Sequence, residues 1–239
     1  MFKELDIFLK EKKGTPIRMG TGEFMDSLAL KEMDDINMQF YDVVNNNKEL
    51  IFEFKTKSDR IDKFMQREAL NNIVLSWSLN PASIIEKQEH LTAPLEKRIQ
   101  AASTVAKHGY SVALHLDPIF MEDDILDEYL DLIDKALTSI PTQNIRWISM
   151  GGFRYTEELK LSMLERTGIV RNPLCSEFIK CSDGKYRYPR FRRTKYYDEL
   201  GKKISKYAKI KTYMCMEDNT MWNRTCFGDK RVLSLLHTQ

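Results

Sequence analysis

The sequence predicts an α/β fold in which parallel strands, alternating with helices, curl into an incomplete barrel. Short β-rich runs alternate with helical patterns along the chain, which is typical of parallel βαβ units. Several of these strands alternate polar and apolar residues, whereas strands covered on both faces are apolar nearly throughout. The sharpest polar groups stand at the carboxyl ends of the strands, as expected of a barrel whose lumen opens at that rim.

The individual elements follow from hydrophobic periodicity. Apolar residues spaced as on one helix face predict a helix over residues 1–13, ended by Gly14. The clearest later helix has Pro94 in its first turn and Gly109 at its exit. Strands are predicted near 17–20, 50–57, 73–80, 111–118, 145–150 and 211–215, and helices near 35–46, 94–108, 124–139, 156–166 and 194–209.

The period-two pattern gives the strands one polar face each. In the third and fourth predicted strands, the polar face carries Ser76, Ser78, Asn80, His115 and Asp117. A half-solvated sheet is the alternative explanation, but a helix follows nearly every strand and favours the barrel. We expect residues 1–168 to form the partial barrel, and residues 169–239 to form a C-terminal extension packed on it as one domain.

Composition and charge limit the class of protein. A chain of 239 residues that is 42% hydrophobic is long enough to bury one sizeable core. Its 37 Lys and Arg residues nearly balance 35 Asp and Glu, so global charge says little about partners. No apolar run approaches the roughly 20 residues of a membrane helix, and the N-terminus is acidic where a signal peptide is apolar. We expect a cytoplasmic protein with no membrane partner.

The four cysteines show no metal-binding pattern. Cys175, Cys181, Cys215 and Cys226 lie in the last third of the chain, and their spacings include no C-x-x-C pair. No His stands at zinc-finger distance from them. We therefore expect free thiols in a reducing compartment, and we assign no metal ligand.

Polar residues at strand ends predict a binding site. Gly22 allows close approach of the backbone to a ligand, and the neighbouring Glu23 carboxylate suits an ammonium group. Lys57 ends the second strand, where it is placed to meet a carboxylate or phosphate. Each signal alone is weak, because a capped turn and a solvated lysine have the same pattern. With Asn80, His115 and Asp117 at the next strand ends, a site is the better explanation.

Residues 185–195 interleave cations with aromatic rings, which suits a nucleic-acid groove. Asp183-Gly184 just before them is a turn signal and predicts a hairpin. A solvated basic loop that balances acidic neighbours is the alternative. The candidate nucleic-acid contacts, of which the last three are assigned to phosphate, are Lys185, Tyr186, Arg187, Tyr188, Arg190, Arg192 and Arg193.

Motifs spread over nearly the whole chain carry a further signal. They lie in 18–30, 55–62, 76–80, 89–102 and 115–119, and they continue through 147–154 to 215–222. In this order they resemble the spore photoproduct lyase family of radical S-adenosylmethionine enzymes. One motif alone carries a false-positive risk, whereas several in register are specific.

The resemblance implies a (βα)6-type partial barrel that binds S-adenosylmethionine against a four-iron cluster. The family cleaves this cofactor reductively to a carbon radical, and its named member reverses a UV-induced thymine dimer in spore DNA. The resemblance also implies DNA as a partner, engaged by a basic hairpin. It assigns the cofactor's amino group to Gly22 and Glu23, its carboxylate to Lys57 and its ribose region to Ser78 and Asn80. We add His115 and Asp117 to the cofactor site because of their position at a strand end.

Two departures from the family pattern affect this interpretation. The C-x-x-x-C-x-x-C triad that ligates the family's cluster lies upstream of the first helix and does not occur here, so nothing in this sequence holds the cluster. Glu23 stands at about the position of the lyase's hydrogen-donating cysteine. We therefore expect a chain without the first strand and cluster loop, inactive by itself. A non-catalytic nucleic-acid-binding protein and one half of a split enzyme, completed by a second chain, are alternatives. No catalytic residue is assigned.

Overall fold

The predicted strands form one curled sheet. The computed structural model describes residues 1–21, 25–122, 124–167, 174 and 176–227. In chain order the strands are β1 (Ile17–Gly20), β2 (Leu50–Thr56), β3 (Ile73–Ser78), β4 (Ser111–Ile119), β5 (Ile145–Gly152), β6 (Arg154–Tyr155), β7 (Ile179–Lys180), β8 (Tyr186–Arg187) and β9 (Thr212–Met214). Six of them pair in parallel in the order β1-β2-β3-β4-β5-β9, which confirms the predicted parallel sheet. Because β9 lies beyond residue 168, the C-terminal part of the chain contributes the sixth strand.

The predicted helices are found close to their expected positions, and three short helices were not predicted. The predicted helix 194–209 begins four residues earlier, at Arg190, after Pro189, whose fixed φ of −51° suits a helix entry. Three short helices were missed because they are too short to show a repeated helical period. The helices are α1 (Phe2–Glu11), α2 (Asp34–Asn46), α3 (Asp62–Met65), α4 (Ala82–Gln88), α5 (Leu95–His108), α6 (Leu126–Ser139), α7 (Glu157–Thr167), α8 (Arg190–Ser205) and α9 (Asn219–Asn223), of which α3, α4 and α9 were the ones missed. Within the described ranges, no helix has both the length and the apolar character needed to cross a membrane.

One face of the sheet packs against the helices. Along β2 the buried positions alternate, and Phe52 and Phe54 are at most 1% exposed. Phe40 of α2 stacks on Phe52 with ring centroids 4.6 Å apart, and Phe64 of α3 meets Phe54 edge-on at 5.0 Å. The apolar half of the predicted alternation is therefore the helix-covered core, and the polar half faces the other way.

Contacts across the opposite face show that the sheet is strongly curled. The Arg18 guanidinium of β1 lies 4.0 Å above the Trp147 ring of β5. In a flat sheet these strands, four steps apart, would be separated by about 19 Å. Since the two side chains touch, the polar face encloses a lumen, as predicted for an incomplete barrel.

The predicted hairpin is confirmed and leads into α8. β7 and β8 pair antiparallel around a turn whose Gly184 has a φ of +79°, in the left-handed region that favours glycine. β8 also pairs with β6, which follows β5 directly. Arg192 near the start of α8 donates from Nη1 to the Met121 carbonyl at 3.2 Å. Because Met121 follows β4, the start of α8 lies at the carboxyl end of the sheet.

A buried arginine fixes the loop that follows α4 to the end of β3. Arg98 of α5 has no exposed surface. It donates from Nη1 to the Ser78 carbonyl at 2.8 Å and from Nε to the Ala93 carbonyl at 2.7 Å. Its Nη2 donates to Thr92 Oγ1 and forms an ion pair with Glu89, both at 2.7 Å. Residues 89–94 therefore cannot move independently of the strand end that carries Ser78.

We expect Arg98→Met to destabilise the protein by roughly 3–5 kcal/mol, because it leaves the buried Glu89 carboxylate with less compensating charge. The neighbouring exposed Lys97→Met is the control, and its effect should stay within about 0.5 kcal/mol. Urea unfolding followed by circular dichroism measures both. Equal midpoints for the two variants would show that Arg98 does not anchor the loop.

Candidate functional site

The lumen-facing side chains change from apolar to charged along the strands. At the closed end Val74, Ala113 and Trp147 form a small buried apolar cluster. Nearer the carboxyl ends of the strands, Glu53 and His115 face the lumen, followed by Lys55 and Asp117 two residues further along β2 and β4. A cavity of about 450 Å³ opens beside these groups, and we call it the larger cavity. Its lining comprises Arg18, Gly20, Thr21, Glu53, Lys55, His115, Asp117, Pro118, Ser149, Arg154, Tyr213 and Cys215.

Glu53 joins three strands across this lumen. Its Oε2 accepts a hydrogen bond from Arg18 Nη2 at 2.7 Å, and its Oε1 lies 2.6 Å from His115 Nε2. Burial alone would raise the pKa of Glu53, but the hydrogen bonds and charges of His115 and Arg18 outweigh it and lower the pKa to about 2. The carboxylate is therefore ionised throughout the physiological range and neutralised from within the site.

A second charged cluster lies nearer the open rim. Arg154 Nη1 donates to Asp117 Oδ1 at 3.1 Å. A side chain at Gly151 would place its Cβ 2.8 Å from the Asp117 carboxyl carbon, so only glycine fits beside this carboxylate. Burial, followed by the charge of Asp117, raises the pKa of the Cys215 thiol to about 11. Cys215 therefore lines the cavity as a protonated thiol at neutral pH.

A smaller cavity of about 320 Å³ adjoins the larger one and shares Lys55, Asp117 and Pro118 with it. Lys57 and Ser78, two of the predicted cofactor residues, line this smaller cavity. Lys57 Nζ forms an ion pair with the buried Glu89 at 2.7 Å and keeps 31% of its side chain exposed. His115 and Asp117 line the larger cavity, so the structure brings four predicted residues to two connected cavities.

The loop after β1 is tied to the end of β2 beside this smaller cavity. The Asp26 carboxylate accepts from Thr56 Oγ1 at 2.6 Å and from the Lys57 amide at 2.7 Å. The Ser27 amide donates to the Lys55 carbonyl at 2.9 Å. Gly22 and Glu23, the predicted partners of an ammonium group, lie outside the described residues, in the stretch that Asp26 follows.

Asn80, which the resemblance assigned to the cofactor's ribose region, lines neither of these two cavities. It is 1% exposed, and both ends of its amide are used within the protein. Its Nδ2 donates to Glu89 Oε1 at 2.8 Å, and its Oδ1 accepts from Tyr129 Oη at 2.7 Å. Asn80 therefore orients Glu89, which in turn pairs with Lys57.

Three of the predicted nucleic-acid contacts, Arg187, Tyr188 and Arg193, are buried in this structure. Arg187 donates from both terminal guanidinium nitrogens to the Asp183 carboxylate, each at 2.7 Å. Arg193 forms an ion pair with Glu217 and is 5% exposed, and Tyr188 has no exposed surface. Because Glu217 lies 24 residues away in sequence, Arg193 has the sequence pattern of a free surface charge. Lys185, Tyr186, Arg190 and Arg192 are partly exposed.

The sequence interpretation missed several lumen residues. Arg18, Glu53, Arg154 and Cys215 were not assigned to the site, although all four line the larger cavity. The alternation along β2 was a usable signal for Glu53, because it lies on the face of Lys55 and Lys57. Nothing local in the sequence marks Arg154 or Cys215, since the β5–β9 pairing that brings them together is long-range.

The described residues offer no metal centre. No group of three or more His, Cys, Asp or Glu side chains within them is arranged to hold a metal ion. Cys181, Cys215 and Cys226 are free thiols, and Cys175 falls outside the described ranges.

Comparison with known proteins identifies the family. A family model described as spore photoproduct lyase matches residues 1–222. The chain belongs to the spore photoproduct lyase family. The resemblance carried by the motifs between residues 18 and 222 is thereby confirmed.

Two curated relatives are spore photoproduct lyases. That of Clostridium acetobutylicum is 25% identical over 140 residues, which are 59% of this chain and 41% of the relative. That of Bacillus subtilis is 31% identical over 93 residues, which are 39% of this chain and 27% of the relative. The matched regions thus span less than half the length of either relative.

Solved structures of spore photoproduct lyase are also similar. A cysteine-to-serine mutant superposes with a TM-score of 0.80 at 16% identity, covering 90% of this chain and 66% of that one. A mutant with bound AdoMet and dinucleoside spore photoproduct superposes with a TM-score of 0.76 at 16% identity, covering 89% and 64%. The likeness establishes the fold, a six-stranded parallel sheet curled into a half-barrel.

The lowered pKa of Glu53 predicts a specific loss of stability in acid. Its contribution, about 3 kcal/mol, is fully present above the ordinary value of 4.5 and is lost as the pH falls towards about 2. We expect the free energy of unfolding to fall less steeply between pH 5 and pH 2 in Glu53→Gln than in the unmodified protein. That variant is also less stable at pH 7, because Arg18 and His115 lose their partner.

Urea unfolding at a series of pH values measures this dependence. Glu86→Gln, which removes an exposed carboxylate of α4, is the control and should keep the full acid dependence. Parallel curves for Glu53→Gln and the unmodified protein would rule out an ionised, paired Glu53.

Proposed function

We propose that this chain binds S-adenosylmethionine in the smaller cavity and part of a damaged nucleic acid in the larger one, as a spore photoproduct lyase-like protein. The observation that carries the proposal is the pair of connected polar cavities at the carboxyl ends of the strands. Ligands of α/β barrels bind at this end of the strands. A purely nucleic-acid-binding protein would need no such second cavity, which favours the cofactor-binding alternative.

The described residues fit one end of the proposed cofactor. Lys57 has one partner, Glu89, and its ammonium group keeps further donors for a carboxylate. The Ser78 hydroxyl lies in the same cavity. We assign the cofactor's ammonium end to Gly22 and Glu23, on the resemblance alone. When bound and given one electron by a reduced iron–sulfur cluster, this cofactor would supply radical chemistry that protein side chains do not provide.

The residues of this sequence do not fit the family's iron–sulfur cluster. The triad C-x-x-x-C-x-x-C is absent, and the described ranges contain no alternative group of three metal ligands. We therefore derive no radical step from this chain. One half of a split enzyme, completed by a second chain, stays an alternative.

A nucleic-acid partner is supported by the surface beside the cavities. One similar structure carries a dinucleoside spore photoproduct. In this chain Lys185, Arg190 and Arg192 are partly exposed cations around the hairpin and the start of α8. Arg192 contacts Met121, which follows β4. Asp117 of β4 lines both cavities. Phosphates held on these cations would leave a base close to the lumen.

We expect Lys57→Gln to weaken binding of S-adenosylmethionine about tenfold, because the cofactor carboxylate then accepts one charge-assisted hydrogen bond fewer. Saturation-transfer NMR suits the measurement, since binding without a cluster is expected to be weak. Lys87→Gln on α4, which is exposed and does not line the smaller cavity, should leave the affinity unchanged. Failure of the unmodified protein to bind the cofactor at millimolar concentration would contradict this half of the proposal.

We expect the double variant Lys185→Glu, Arg190→Glu to weaken DNA binding and to reduce the slope of log K against log salt by about one for each phosphate that is no longer neutralised. Lys202→Glu, Lys206→Glu at the opposite end of α8 is the matched control. Fluorescence anisotropy with a labelled duplex, at several salt concentrations, measures both. An unchanged slope in the first variant would mean that the hairpin surface does not contact DNA.

A further inference from the structure

The two cavities share an unneutralised cation. Lys55 of β2 lines both of them and is half-buried. Its ammonium group has no hydrogen bond or ion pair with any other residue in the described ranges. This contrasts with the other cations nearby, because Arg18 pairs with Glu53, Lys57 with Glu89 and Arg154 with Asp117.

The two carboxylates that line the larger cavity are both paired with cations other than Lys55. Glu53 is held by Arg18 and His115, and its two oxygens are both used. Asp117 pairs with Arg154. Apart from His115, the described residues that line this cavity include three Lys and Arg side chains and two carboxylates. Arg18 and Arg154 pair with the two carboxylates, so Lys55 is the cation left without a carboxylate partner. A half-buried charge without a partner is unfavourable, and an anionic group of a ligand would relieve it.

We propose that Lys55 binds the phosphodiester of the nucleotide held in the larger cavity, an inference that rests on the proposed function. Lys57 stands two residues further along the same face, about 7 Å away, and is assigned to the cofactor carboxylate. The two lysines then divide the anions between them, the phosphate deeper at the junction of the cavities and the carboxylate nearer the rim. A lysine ammonium is a common phosphate ligand, acting as a point charge.

The size of the larger cavity agrees with this ligand class. A volume of about 450 Å³ lies within the usual range of small-ligand pockets and accommodates a nucleotide. The Arg18 guanidinium stacks on the Trp147 ring at the closed end of the lumen. A ligand that enters from the open rim therefore contacts Lys55 before it reaches Arg18.

The test compares two probes that differ only in charge: the dinucleotide thymidylyl-thymidine and its uncharged methylphosphonate analogue. We expect the unmodified protein to bind the phosphodiester about tenfold more tightly than the analogue. Lys55→Gln should abolish that preference while leaving affinity for the analogue unchanged, and Lys55→Arg should retain most of it. Isothermal titration calorimetry or NMR titration provides the affinities.

Four results would overturn the inference, and they are distinguishable. Equal affinity of the unmodified protein for both probes would remove Lys55 as a phosphate ligand but leave a nucleotide-binding cavity in place. A Lys55→Gln variant that loses S-adenosylmethionine and keeps the dinucleotide preference would assign Lys55 to the cofactor carboxylate. If the unmodified protein binds duplex DNA and the cofactor but neither dinucleotide probe, the larger cavity is not the nucleotide site. If it binds neither the probes nor DNA nor the cofactor, the proposed function itself is overturned.

Discussion

The buried carboxylate of Glu53 is the interaction on which the lumen depends. A curled sheet brings inward-facing side chains of distant strands together, and at this level they are charged. Glu53 of β2 connects Arg18 of β1 with His115 of β4 at 2.7 Å and 2.6 Å. Without it, two basic groups would face each other across a space of low polarisability. The same bond therefore stabilises the curl and sets the polarity of the site, so fold and site cannot be altered independently here.

A second buried charge organises the rim. Glu89 accepts a hydrogen bond from the Asn80 amide and forms ion pairs with Lys57 and Arg98. Arg98 also donates a hydrogen bond to the Ser78 carbonyl. The side chains that line the smaller cavity are thus positioned by neighbours that never reach it. Residues 89–102 belong to the motifs of the family, and the contacts explain why this stretch carries a motif although it contributes no cavity-lining residue.

Strand positions and their faces were predictable because they follow from local periodicity. All six strands of the main sheet were located, and the alternation of Phe52 and Phe54 with Glu53 and Lys55 identified the lumen face. Which polar groups stay available to a ligand was not predictable. Asn80 and Arg193 have the same residue types as true contacts, but their partners Tyr129 and Glu217 are 49 and 24 residues away in sequence. Only the folded arrangement reveals that these groups are already satisfied.

The distribution of charge along the lumen also indicates how far a ligand enters. Deep in the lumen, basic and acidic groups are neutralised by one another, and the Arg18 guanidinium is covered by Trp147. From Lys55 outward, neutralisation is incomplete, and Lys57 retains donors beyond its pair with Glu89. A protein gains nothing in stability from leaving a half-buried cation unpaired, whereas binding gains from it directly. If Lys55 binds the phosphodiester as proposed, it marks the inner limit of the ligand's charged groups, because the cations deeper in the lumen are already paired.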